Sequence, residues 1–348
     1  MAVLGVFFLI LGGVAAGSFY IPFKKVRNWA WESYWLTNGA FAWVIMPWLI
    51  AAVTVPGVIS ILRNTNDRTL LLTYLFGLLW GIGGVTFGLS MRYLGMSLGY
   101  AIALGFCAAF GTIVPVIYDG TIVQLMNTTS GLTTLAGVAV CLVGIGICGW
   151  AGISKEKELP QEKKKEAIEE FNFAKGLVVA VCAGAMSACM AFGFISGKTL
   201  ADIAVENGTR PLWANNPVLI VIFAGGFTTN FLWCILMNIK NKTAGNYING
   251  SGASLAGNYV FSALAGIIWY LQFMFYGMGR GKMGRYDFAS WSVLMAMIIV
   301  VSNIWGLVFR EWKGCSPRTI GIITSGILVV ILSIVFVGTG NYLAAAGK

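Results

Sequence analysis

The stretch SKEKELPQEKKKEAIEEFNFAK, Ser154–Lys175, carries six Lys and six Glu. It stands apart in a chain of 348 residues of which only 10% are charged, against about 25% in an ordinary soluble domain. So dense and nearly neutral a mixture reads as a solvated loop, with at most a short surface helix. Working outward from it, five apolar runs precede it and five follow. They lie near Leu4–Tyr20, Trp35–Val55, Leu70–Met91, Leu98–Tyr118 and Leu132–Ala151, then near Gly176–Gly197, Pro217–Met237, Leu255–Met278, Phe288–Phe309 and Ile320–Tyr342. A hydrocarbon core ~30 Å thick needs about 20 helical residues per crossing. The runs lack the alternation of a membrane barrel. The expected fold is therefore all-α: a polytopic membrane protein of ten transmembrane helices, with 1–153 and 176–348 as two five-helix units joined by a charged linker at 154–175.

Composition agrees. Hydrophobic residues make up 58% of the chain, more apolar surface than a soluble protein of this size can hide, so lipid is an expected partner. The 45 glycines let membrane helices approach closely. The formal charge of +10 comes from Lys and Arg placed between the apolar runs. There they orient spans and meet anionic head groups, and they form no nucleic-acid patch. No Lys or Arg precedes the first apolar run, so it reads as a retained span, not a signal peptide. Six of the seven Cys lie inside apolar runs and no CxxC occurs, which argues against a disulfide framework or zinc site. Histidine is absent. Any proton relay then rests on carboxylates. With no nucleophile–His pair, no GxxxxGK[ST] and no HExxH, an enzyme is not expected, nor a cofactor or metal.

The halves look duplicated. Gly77, Trp80, Phe87 and Gly88 of the third run match Gly266, Trp269, Tyr276 and Gly277 of the eighth at a constant offset of 189, which also carries Gly95 onto Gly284. Five is odd, so a duplicated five-span half enters the membrane in the opposite sense. Carriers built as inverted repeats bind their cargo near the midplane, between halves that rock around it. Of the 23 Lys and Arg, 15 fall in the odd-numbered loops. The positive-inside rule then places those loops and the central segment in the cytoplasm and both termini outside.

Candidate residues follow from polarity in apolar surroundings. Trp269, Gln272, Phe273 and Tyr276 in WYLQFMFYG fall on one helix face. Gln272 must face protein, since lipid would leave its amide unpaired. It is either an inter-helix hydrogen bond or part of a sugar-binding wall, in which aromatic faces cover the apolar side of a ring and the amide bonds its hydroxyls. Trp80, Asn230 and Asn303 are further substrate-binding candidates. Gly77, Gly81, Gly84 and Gly88 share a face suited to close packing or to sliding. For a proton, the candidates are Asp287 and Glu32. Asp287, in RYDFASW, is otherwise a helix N-cap. Glu32, in WAWESYW, is otherwise an interfacial ion pair with Lys24, Lys25 and Arg27. Asp287 ranks first, because it follows the eighth run, which carries the sugar-wall candidates, and no basic cluster like that beside Glu32 adjoins it, Arg285 alone standing two residues away. Glu311 reads as interfacial, and Asp119 before Gly120 as a turn.

FYIPFKKV (Phe19–Val26), LFGLLWGIG (Leu75–Gly83), MRYLGMSLG (Met91–Gly99), WYLQFMFYGMG (Trp269–Gly279) and YDFASW (Tyr286–Trp291) closely resemble the bacterial L-rhamnose–proton symporter family, of the drug/metabolite transporter superfamily. The likeness runs the length of the chain. It implies a ten-helix inner-membrane carrier coupling L-rhamnose uptake to proton influx, and it strengthens Glu32 and Asp287 as candidates, since both sit in or near matching motifs. One stretch departs: Gly84, Thr86 and Phe87 stand where enterobacterial members carry Asn and Tyr, which bears on the exact sugar and the coupling ion. The expectation is a secondary active importer of a 6-deoxyhexose. Two rivals stand beside it: an exporter of amino acids or other metabolites, and a membrane sugar sensor without turnover.

Overall fold

The computed structural model describes residues 2–94, 96–118, 120–158, 173–249, 252–309 and 312–346. Every element among them is helical. Ten long helices follow the ten apolar runs: α1 (Ala2–Ser18), α2 (Trp31–Thr54), α3 (Asp67–Leu94), α4 (Met96–Tyr118), α5 (Thr129–Glu158), α6 (Phe173–Ser196), α7 (Asn216–Asn241), α8 (Gly252–Arg280), α9 (Ala289–Val308) and α10 (Pro317–Ala345). Nine are long and apolar enough to cross a bilayer, and α4 contributes a shorter apolar stretch, Ile102–Ile117. Val53, Val178, Leu236 and Leu328 point outward and are exposed, while Phe223, Trp291 and Met190 are buried. An apolar exterior over fully hydrogen-bonded helices is what a lipid solvent requires. The chain is a multi-pass membrane protein.

The helix boundaries have local causes. Pro47 has no backbone N–H to give, and the turn before it, Ala40–Ile45, widens into a π-helix inside α2. Ser316 caps α10, its hydroxyl accepting from the Thr319 amide at 3.3 Å, with Pro317 next. The expected linker begins later than position 154, because α5 runs on to Glu158. That carboxylate accepts from the Ser316 amide, the Ser316 hydroxyl and the Thr319 hydroxyl, each at 2.6 Å. These donors hold the Glu158 carboxyl below the usual carboxylate range. Residues 159–172 of the linker, the Asp119 turn and the interfacial Glu311 lie outside the described residues.

The packing is reciprocal between halves. Helix α1 packs on α8 and α9, and α6, its counterpart, packs on α3 and α4. Helix α2 lies on α8 as α7 lies on α3, and the two last helices, α5 and α10, pack on each other. Exchanging each helix for its counterpart leaves these pairings unchanged.

Glycine sets the closeness of these crossings. A methyl at Gly77 would fall on the carbonyl of Ile222 in α7, and one at Gly81 would lie 2.8 Å from the Thr229 Cβ. Gly84, expected on the same packed face, has nothing within 4 Å of a built Cβ. The side-chain environment of Gly88 lies outside the description. Gly77→Ala should therefore cost about 1–3 kcal/mol, as overpacking does, and lower the thermal unfolding midpoint in detergent. Gly84→Ala should leave it within a degree or two or raise it, since Ala favours helix by ~1 kcal/mol. Equal midpoints for the two variants would show that the α3–α7 crossing is not glycine-limited.

Candidate functional site

Helix α8 forms the wall of the interior. Spacing of three, four and seven residues puts Trp269, Gln272, Phe273 and Tyr276 on one face, and all four are buried. At one end the Trp269 ring centroid lies 5.2 Å from Trp43, 5.4 Å from Trp80, 5.0 Å from Phe273 and 5.7 Å from Phe223. Trp80 and Trp269, matched across the two halves by the sequence offset, thus touch each other at the centre. The Trp43 indole N–H is buried there without an acceptor among the described residues. Asn230 joins this cluster only through Trp35, whose Nε1–H donates to Asn230 Oδ1 at 3.1 Å, while its own amide donates to the Gly226 carbonyl at 2.9 Å. Asn230 is thereby satisfied by protein.

Gln272 is only 5% exposed. Its amide makes no hydrogen bond to the described residues, so the inter-helix bond that would have explained it is not formed. Its side-chain N and O are not among the fully buried unpartnered polar atoms, so the amide keeps some accessible surface and is open to a ligand hydroxyl.

One to two turns further along the same face, a cavity of about 220 Å³ opens between the ends of α4, α6 and α8 and the start of α9. Tyr276, Arg280, Asp287, Lys198, Thr121 and Pro115 are among its walls. Arg280 donates from Nε to Asp287 Oδ2 at 2.9 Å, and its Nη2 lies 2.9 Å from the same oxygen in an ion pair. Its guanidinium sits 5.8 Å from the Phe194 ring centroid and beside the Tyr276 hydroxyl. The Tyr276 ring is edge-on to Phe194 at 5.1 Å and to Trp291 at 5.4 Å. A larger depression of about 380 Å³, walled by Leu62, Leu70, Leu71, Ile220 and Val221, is almost wholly apolar and offers little to a polyol.

Two readings of Asp287 change. Its side chain does not cap α9: Phe288 holds the cap position, and Asp287 contributes only its backbone carbonyl, to the Ser290 amide at 3.0 Å. Nor is it the acid with the more distant base, because the fold brings Arg280 onto it. Arg280 was missed as a site residue because its place at the end of an apolar run made it look like a loop charge. The available signal was helical: it follows Tyr276 by four residues and continues the Trp269 face. Lys198 gave no such signal.

Glu32 lies elsewhere. It opens α2, is 5% exposed, and accepts at Oε1 from the Asn241 amide at 3.0 Å and the Thr243 hydroxyl at 2.7 Å. Ser33, Asn238, Asn246 and Tyr247 extend this network. The expected basic partners do not engage it: no Lys or Arg ion pair to Glu32 occurs among the described residues, and Lys24 instead stacks over the Phe309 ring at 3.3 Å. Glu32 sits where α7 ends and α8 begins, Asp287 just beyond where α8 ends. The 29 residues of α8 span roughly 40 Å at 1.5 Å per residue, so the two acids belong to opposite ends of the molecule. Asn303 joins neither group; its amide donates to Ile299 of its own helix at 2.8 Å.

The L-rhamnose-proton symport protein (RhaT) family model matches residues 1–344. Among curated relatives, the L-rhamnose-proton symporters of Klebsiella pneumoniae (strain 342), Enterobacter sp. (strain 638) and Escherichia coli (strain 55989 / EAEC) are each 38% identical over 340 residues, 97% of this chain and 97% of the relative. The exporter and sensor alternatives find no support in these matches. A multi-helix membrane core, with an aromatic centre opening on a polar cavity and likeness to one set of carriers along nearly the whole chain, has one placement: the chain belongs to the L-rhamnose-proton symporter family, which are transporters and not enzymes.

Proposed function

We propose that this chain imports L-rhamnose together with protons across the bacterial inner membrane, and that the sugar binds along the α8 face between the Trp80–Trp269 cluster and the Arg280–Asp287 cavity. The observation that carries this reading is the Gln272 amide, on a residue largely enclosed yet without a hydrogen bond to the described residues, on the α8 face between the Trp269 ring and the Tyr276 and Arg280 walls of the cavity. A 6-deoxyhexose is amphipathic in the same sense. Its methyl and ring C–H groups suit Trp269 and Trp80, and its hydroxyls suit Gln272, Tyr276 and Arg280. The proton rides on a carboxylate, Asp287 first because it lines the cavity, with Glu32 the second candidate. Neutralising a carboxylate lowers the cost of enclosing it, and so biases the carrier toward its occluded state.

The two halves are read as inverted repeats. Support comes from the reciprocal packing of α1 on α8 and α6 on α3, and from parity, since five crossings reverse the sense of the second half. With the odd-numbered loops cytoplasmic, the Asp287 cavity faces the periplasm and the Glu32 network closes the cytoplasmic side, as an importer loading from outside requires. Reporter fusions at Lys164 and Lys348 check this: a cytoplasmic signal at the first and a periplasmic signal at the second are expected, and the reverse would overturn the orientation.

The substrate is tested by uptake of a panel of labelled sugars in a rhamnose-transport-deficient strain expressing the chain. L-rhamnose should enter fastest. Preference for another sugar, or uptake no greater than in the empty strain, would overturn the assignment.

A further inference from the structure

We infer that Arg280 is the residue that links the two cargoes: sugar hydroxyls and Asp287 compete for its guanidinium, and a sugar that wins leaves Asp287 to bind a proton. The inference rests on the sugar-binding reading of this cavity, and it adds the group through which sugar and proton sense one another.

Three observations support it. First, both contacts that Arg280 makes with Asp287, a hydrogen bond from Nε and an ion-pair approach of Nη2, converge on the single oxygen Oδ2. A guanidinium has five N–H donors in a fixed fork, so that pair leaves part of its capacity for the cavity wall, where the Tyr276 hydroxyl also meets it. Second, the Arg280 side chain is 16% exposed and that of Asp287 40%. Arg280 is enclosed enough that losing Asp287 leaves a poorly solvated charge, while the Asp287 carboxylate is open to solvent, so the pair is accessible to a solute. Third, Arg280 follows Tyr276 by one turn on the helix face that holds Gln272, so a ring lying along that face ends at the guanidinium.

The other charged and titratable neighbours do not replace it. Lys198, across the cavity, is paired with Asp202 at 2.9 Å. Tyr276 is a neutral phenol in the same wall, and Cys107 of α4 is buried behind it. Phe194 of α6 offers the guanidinium only its ring. Asp287 is the acid that Arg280 meets.

The step is simple in its balance. Vicinal sugar hydroxyls accept N–H bonds from Arg280, the Arg280–Asp287 bonds break, and one proton from the surrounding solution joins an Asp287 oxygen. No covalent bond within protein or sugar changes. Removing one member of an enclosed ion pair is costly because the remaining charge is uncompensated. Here the sugar compensates Arg280 and the proton compensates Asp287. By linkage, whatever factor a proton adds to sugar affinity the sugar adds to proton affinity.

The test uses the purified full-length chain in detergent. L-rhamnose is titrated from pH 5 to 8 in weak buffer with a pH indicator, which gives sugar Kd and protons taken up per sugar bound. The parent should take up protons as it binds sugar, with Kd weakening as pH rises. Arg280→Gln should bind at least tenfold more weakly, with proton uptake lost and Kd independent of pH. Arg280→Lys keeps the charge without the fork and should fall between. Arg280→Gln combined with Asp287→Asn removes both charges, which guards against misfolding of the single variant, and it too should bind rhamnose independently of pH. Proton uptake per sugar in Arg280→Gln equal to the parent's, or retained pH dependence in the double variant, overturns the inference while leaving rhamnose transport standing. A parent that binds no rhamnose overturns the sugar reading, and this inference with it.

Discussion

Asp287→Asn is expected to exchange L-rhamnose across the membrane at a rate near the parent's while failing to accumulate it. Asn preserves the shape of the carboxyl and mimics its protonated form, but it cannot release a proton on the far side. For one proton per sugar, each unit of pH gradient supports up to a tenfold sugar gradient, about 1.4 kcal/mol. The variant should settle at equal concentrations inside and out under the same gradient. Counterflow followed by uphill uptake, in the same proteoliposomes, separates the two properties. Full uphill uptake by Asp287→Asn would remove this acid from the coupling and pass the role to Glu32, tested as Glu32→Gln. If both variants accumulate sugar normally, proton coupling through either is wrong and another ion, such as Na⁺, drives the carrier.

The second large effect separates two residues that sequence alone treats as equivalent. Gln272→Ala should weaken rhamnose binding about tenfold or more and leave the unfolding midpoint nearly unchanged, because it deletes an amide that bonds no described residue. Trp269→Ala should weaken binding too, but at a cost in stability. It empties the space between Trp43, Trp80, Phe223 and Phe273, and such truncations cost about 3–5 kcal/mol. Isothermal titration and thermal unfolding on the same preparations give both quantities. Parent-like binding by Gln272→Ala would make the α8 face a packing surface and nothing more.

Much of the architecture was legible in the chain because lipid imposes a simple grammar. Ten apolar runs became ten helices, since nothing else satisfies the backbone in hydrocarbon. The offset of 189 foreshadowed contact between Trp80 and Trp269. The Trp269–Tyr276 face was readable because helical spacing is local. What could not be read was set by tertiary approach. Gly84 shares the spacing of Gly77 and Gly81 but meets no neighbour within 4 Å of a built Cβ, a difference that only the approach of another helix could reveal. Glu158 extends α5 beyond its apolar run because Ser316 and Thr319, far off in sequence, supply donors. Asp287 and Glu32 looked like rivals for one site, yet α8 separates them by its whole length. Arg280 hid at the boundary between an apolar run and a loop, where a positive charge ordinarily marks the membrane surface.

Under the proposed mechanism, a proton gradient drives L-rhamnose through this chain. The direct measurement is uptake of labelled L-rhamnose into proteoliposomes holding the purified protein, with the outside made acidic relative to the inside and no sodium present. Accumulation above the external concentration, collapsing on addition of a protonophore, is the predicted result. Uptake that never exceeds the external concentration, or that rises only when a sodium gradient is imposed, would contradict it.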